Sequence, residues 1–174
     1  HNALSALTLG DNNTAIGYNA LTSGTSATEN TIVGSLAGDA LVGGGSNTIV
    51  GAHAGGQTTA VGKTVIIGAE AGESVMEATA DGTVAVGYEA LKGLTSGAGS
   101  VAVGYRALKA QTTGASNTAI GYQSMLVANH ADADQNTCVG YISGNAISSG
   151  QKNTLIGNEA GATRLTTGDK NTAV

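Results

Sequence analysis

The chain contains no proline, no tryptophan and no phenylalanine, and its only aromatic residues are five tyrosines. Without large rings it cannot fill the wide core of an ordinary globule. It can fill a thin one, repeated along an axis. A single cysteine, Cys138, excludes an intrachain disulfide framework. Charged residues make up only 11%, too few for a disordered polyelectrolyte. The formal net charge is −5 and no basic patch stands ready to neutralise phosphates, which argues against nucleic acid as a partner. No run approaches the roughly 20 apolar residues that cross a bilayer as a helix.

Glycine is abundant, at 28 residues, but not at every third position as in collagen. It marks a longer period. Gly17, Gly34, Gly51, Gly68, Gly87, Gly104, Gly121, Gly140 and Gly157 recur at gaps of 17 residues, twice stretched to 19. A further copy, Asn171-Thr172-Ala173-Val174, stops where its glycine would come, and His1-Asn2-Ala3-Leu4 matches Tyr18-Asn19-Ala20-Leu21. A fixed period of this length predicts a solenoid in which one repeat is one coil. The expectation is an all-β parallel β-solenoid or β-roll of about ten 17-residue coils. Because it starts and stops in register with the repeat, residues 1–174 are read as one repeat domain belonging to a longer fibrous chain.

The columns around each glycine sort by chemistry. The residue just before it is always β-branched, as in Ile16, Val33 and Ile120, and two before is apolar, as in Ala15, Ile32 and Cys138. Three before is Thr or Val, with Val65, Val84 and Val101 interrupting the threonines. This is a short strand by residue preference. Alternate side chains face opposite sides, so adjacent apolar columns predict that both faces are covered. The column before glycine is read as core, and the cover for the second face as another copy: a parallel, in-register, side-by-side homotrimer. Three after glycine lies a small-residue column, Ala20 to Ala160, followed by Ser, Thr, Gly and Asn connectors suited to turns. Two after is usually polar (Asn19, His53, Glu70, Glu89, Arg106, Gln123, Glu159) and is read as facing solvent.

The repeats fall into two kinds. Where two-before is Ala or Cys, one-after is Tyr, as in Ala102 with Tyr105 and Cys138 with Tyr141; where it is Ile or Leu, one-after is Ser, Ala or Asn. The pattern predicts that these two positions border one space and trade volume.

Sites for chemistry are few. The stretched repeats carry long connectors, Glu73 to Asp81 and Leu126 to Gln135, which solenoids expel as outside loops. Their polar residues Glu73, Glu77, Asp81, His130, Asp132 and Asp134 are the candidate surface contacts. Asp132-x-Asp134 is only a fragment of a cation loop, lacking the glycine and distal glutamate of an EF-hand. Gly43-Gly44-Gly45-Ser46 lacks the Lys-Ser/Thr of a phosphate loop. His53 reads as a surface residue and Cys138 as a small buried hydrophobe. The asparagines Asn13, Asn30, Asn47, Asn117, Asn136, Asn153 and Asn171 are placed to form an amide ladder. No catalytic, cofactor or metal constellation is visible, and a non-enzymatic chain is expected.

The run Asn13 to Leu21 and its kin at Asn117 to Met125, Asn-Thr-Ala-Ile-Gly-Tyr-x-(Ala/Ser)-(Leu/Met), resemble repeats of phage tail-fibre-like proteins. Ser100-Val101-Ala102-Val103-Gly104 is similar to repeats in the β-roll heads of trimeric autotransporter adhesins. The resemblance spans the chain and departs from the adhesins in its longer period. It implies a homotrimeric, extracellular, non-catalytic fibre segment, the shaft of a virion tail fibre or else a bacterial surface adhesin head. A host receptor or glycan would be its partner, with no membrane insertion. Two other classes compete. An ice-binding solenoid would use aligned threonines, but here they form a single column, broken by valines and sharing strand parity with a column read as buried. A glycan-degrading β-helix would need paired carboxylates in a groove, and the acids are evenly spread.

Overall fold

Three consecutive residues per repeat favour an extended backbone, and the glycine that follows ends each extension. The computed structural model describes residues 2–128, 133–163 and 165–174. Its strands are β1 Thr14–Ile16, β2 Thr31–Val33, β3 Thr48–Val50, β4 Val65–Ile67, β5 Val84–Val86, β6 Val101–Val103, β7 Thr118–Ile120, β8 Thr137–Val139, β9 Thr154–Ile156 and β10 Thr172–Ala173. They form one parallel sheet in strict sequence order. Neighbours pair without slip, Thr14 beside Thr31 and Val103 beside Ile120. The chain is therefore an all-β solenoid, advancing one strand per coil. Coil counting in the sequence and strand counting in the structure agree, ten strands being joined by nine turns.

The glycine column is obligatory for two reasons. Gly121 has φ 134°, a region that side-chain-bearing residues rarely adopt. A Cβ there would also collide with the carbonyl of Gly140 in the next coil, and the same overlap recurs from Gly17 to Gly140. The corners between strands are tight, with left-handed non-glycine residues such as His53, Arg106 and Leu108.

The core column is the one two before glycine. Ile32, Ile49, Ile66, Ala85, Ala102, Ala119 and Cys138 are wholly buried. The small-residue column lies beside it, Ala20 to Ser143 being buried. The column before glycine is not core within one chain, contrary to the sequence reading. Ile67, Ile120 and Ile156 are 38–39% exposed and Ile16 is 61% exposed. The reason is the strand alternation itself: the middle residue points inward, so the first and third both point out.

The volume trade also has a different partner. The tyrosines lie outside, and the residue that shares space with the core column is four after glycine. Ala15, Ala85, Ala102 and Ala119 go with Leu21, Leu91, Leu108 and Met125. Ile32, Ile49, Ile66, Cys138 and Leu155 go with Gly38, Gly55, Gly72, Gly144 and Gly161. A Cβ on Gly38 would lie 3.1 Å from Ile32 Cδ1, and one on Gly161 2.6 Å from Leu155 Cδ1. The space between these two positions is filled from one of them or the other, while Leu41, Met76, Leu94 and Ile147 fill the interior further along their coils. Tyrosine follows the alanine-type coils closely enough to imitate this rule in the sequence.

The amide ladder is present. Asn30 Nδ2 donates to Asn13 Oδ1 at 3.0 Å, Asn47 to Asn30 at 2.9 Å, Asn153 to Asn136 at 3.0 Å and Asn171 to Asn153 at 2.9 Å. It is interrupted where the column holds Thr64, Thr83 and Ser100. At Ser100 a buried glutamine makes good the gap: Gln111 Nε2 donates to Ser100 Oγ at 3.0 Å, and Asn117 Nδ2 donates to Gln111 Oε1 at 3.1 Å.

Candidate functional site

Two features stand out on the surface: the outer face of the sheet and a charged corner. On the outer face, the first and third residues of every strand project outward, threonine or valine and then isoleucine or valine. One residue past the glycine, Tyr88, Tyr105, Tyr122 and Tyr141 stack on successive coils. Their ring centroids are 5.5, 5.1 and 5.3 Å apart in turn. Parallel in-register strands put identical positions one above another, so any aromatic repeated in successive coils must stack. All five tyrosines are 37–53% exposed. None of these three columns contains a charged residue.

The charged corner lies two and five residues after glycine in the three coils that begin at Gly68, Gly87 and Gly104. Lys92 Nζ reaches Glu70 at 2.5 Å, Glu73 at 2.9 Å and Glu89 at 3.4 Å. Glu89 is also met by Arg106 at 2.5 Å and Lys109 at 2.8 Å. The residue is only 5% exposed, so the solvent-facing reading of its column fails at this coil. Burial alone would raise its carboxyl pKa, but hydrogen bonds and charge from Lys109 and Arg106 outweigh that and bring it down to about 2. Lys92 is held above its ordinary value, first by its bond to Glu70 and then by Glu73. Arg106 also lies over the Tyr105 ring at 4.9 Å, linking the corner to the tyrosine row.

The candidate contact residues are placed as follows. Glu73 belongs to the charged corner through Lys92. Glu77 is exposed and precedes a single turn of 3-10 helix, Ala78–Ala80, without capping it through its side chain. Asp81 Oδ1 accepts the Gly62 N–H at 2.7 Å, and Asp134 Oδ1 accepts the Ala115 N–H at 2.7 Å. These two occupy equivalent places in the stretched coils and tie each insertion to the coil before it. His130 and Asp132 lie outside the described residues. The sequence reading missed both the tyrosine row and the charged corner as surfaces. The tyrosine spacing was legible, but its outward direction is set by how the chain turns at the corners.

Cys138 is buried, and burial pushes its thiol up to about 12, a poor setting for a nucleophile. Among the described residues, no three His, Cys, Asp or Glu side chains converge as a metal set and no cleft opens. No helix among them is long and apolar enough to cross a membrane. The parity argument against ice binding falls, since the threonine column and the column before glycine both face outward. The valine interruption and the tyrosine row still break the flat threonine face. Compared with protein-family models, curated proteins and solved structures, the chain has no match in any of the three.

Proposed function

We propose that this chain is a non-catalytic structural and adhesive fibre segment, the shaft of a homotrimeric phage tail fibre, with a bacterial trimeric surface adhesin head as the alternative setting. The observation that carries the reading is the uncharged, largely apolar outer face running along a regular rod. Nine steps of about 4.8 Å give a length of roughly 43 Å. Ile16, Ile67, Ile120 and Ile156, each exposed by more than a third, are costly in water, and burial against like surface relieves that cost. Three copies side by side, parallel and in register, cover the face with the same chemistry in every coil. The coils hydrogen-bond along the axis and stiffen the shaft, and the two insertions are the proposed contact points for a host receptor or glycan.

Mass in solution is the first test: a trimer is expected, and a stable folded monomer would end the reading. Deleting two residues from each insertion, keeping Asp81 and Asp134, tests the loops. The fold should survive, because the 17-residue coils close without the extra residues. Host adsorption or cell adhesion should drop, and unchanged adhesion would leave the segment a spacer. One observation favours a second reading, the outward-facing threonines of β1 to β3 and β7 to β10. Thermal hysteresis in solutions of the intact chain would support ice binding instead.

A further inference from the structure

We propose that Val65, Val84 and Val101 are the key that sets the register in which copies of this chain associate through their outer sheet face. The inference rests on the side-by-side reading above and concerns how it is made specific. Identical coils raise a problem that a globular interface does not have. Two uniform rods lying side by side can slide by one coil, about 4.8 Å, and meet nearly the same surface again. Something must distinguish the coils.

On the outer face the tyrosine row of four coils forms one block, and the third column before glycine forms another, in which hydroxyl and methyl groups change places. That column reads threonine through β1 to β3, valine through β4 to β6, and threonine again through β7 to β10. Within the sheet, Thr48 lies beside Val65, and Val101 beside Thr118, so the block has a sharp edge at each end. In register, valine meets valine in a dry contact, and threonine meets threonine with each hydroxyl able to bond its counterpart. A one-coil slip sets Val65 against Thr48 and Val101 against Thr118. At both edges a hydroxyl is then buried against a methyl group with no partner, which is the costly arrangement.

The occupant of the face is a second copy on grounds of charge. In parallel in-register packing each residue meets itself, so any charge would meet its own sign. The outer face carries none along its length, although the chain as a whole is acidic. Charge is instead concentrated at the corner of Glu89, Lys92 and Arg106. An unrelated partner would not require neutrality at every coil.

The test reads register by disulfide formation in full-length chains. Cys138 is buried and does not compete. Chains with Thr31→Cys are mixed and co-assembled with chains carrying Thr48→Cys, then oxidised mildly. With the native valine block in both, same-position products should exceed the 31–48 product at least about tenfold. The second chain is then given a block moved by one coil, Val65→Thr with Thr118→Val. Both residue types already occur in this column, so folding is expected to hold. Position 31 of the native chain now aligns with position 48 of its shifted partner, and the 31–48 product should rise at least about tenfold over its level with two native blocks, while contacts between like chains keep giving same-position products. If assembly persists by mass and the ratio does not change, the valine key is overturned while side-by-side association stands. If no assembly forms with the native block, the association reading fails and the key fails with it.

Discussion

At the scale of single residues, the space shared by the core column and the position four after glycine takes a large side chain from only one of them, and close packing punishes both excess and deficit. Ala102→Ile adds volume where Leu108 already fills the coil and should cost about 1–3 kcal/mol. Leu108→Gly alone empties the space and should cost about 2–5 kcal/mol. It is partly offset because Leu108 holds φ 50°, which glycine adopts without strain. The double variant should recover much of the loss, and a cycle by thermal or denaturant melting measures it. Tyr105→Ala should show no such coupling with Ala102→Ile, since that ring lies outside. Glu89 makes a second prediction at this scale. Its folded pKa lies near 2, below the ordinary 4.5. A depressed carboxylate adds stability above its unfolded pKa and loses it as pH falls through the folded one. Stability should therefore decline between about pH 4.5 and pH 2 as this group takes up its proton. Glu89→Gln should be less stable at neutral pH and should show a shallower decline across the same window. Parallel curves for the two proteins would count against the buried ion cluster.

At the scale of the element, each strand is too short to hold itself and is defined by what stacks above and below. The glycine that ends it permits the next coil to approach. Gly121→Ala combines a φ near 134° with a collision against the Gly140 carbonyl. Gly157→Ala has a similar φ, 130°, but nothing within 4 Å of the added carbon. The first should cost more than about 3 kcal/mol and the second about 1–3 kcal/mol, the strain of the backbone alone. Equal melting of the two variants would remove the close approach as a reason for the glycine column. The amide ladder works in the same way. Each asparagine completes the turn of its neighbour, and where Ser100 is too short Gln111 reaches across from the interior.

At the scale of the whole molecule, the sheet has one buried and one open face, and the two should answer a charge differently. Ala119→Asp places a carboxylate in a wholly buried column and should cost several kcal/mol, about 3 or more, disrupting neighbouring coils. Ile120→Asp, one residue on, changes a side chain that is 39% exposed in the single chain. It should leave the melting of an isolated chain within about 1 kcal/mol of the parent. If copies associate through this face, the same substitution should lower the mass in solution, because like charges would meet in register. Loss of the fold on Ile120→Asp in a monomeric preparation would contradict the outward direction of the column.

The period, the β class, the parallel order and the burial of Cys138 were all legible in the sequence. They follow from local repetition, and a residue type repeated at one place in every coil must stack on itself. Asparagine at Asn30, Asn47 and Asn136 announced its ladder for the same reason. What repetition does not state is direction. Ile120 and Ala119 are both apolar, and only the path of the corners decides that alanine turns inward and isoleucine outward. Nor does a correlation name its cause: Tyr105 and Leu108 both accompany Ala102, but only one reaches the space that Ala102 leaves. Glu89 became buried because cations from its own coil and the next close over it, a convergence of side chains 3, 17 and 20 residues apart. Columns were decided by sequence, since stacking depends on period alone. Faces and partners were decided by the tertiary structure, since they depend on how the chain turns between strands.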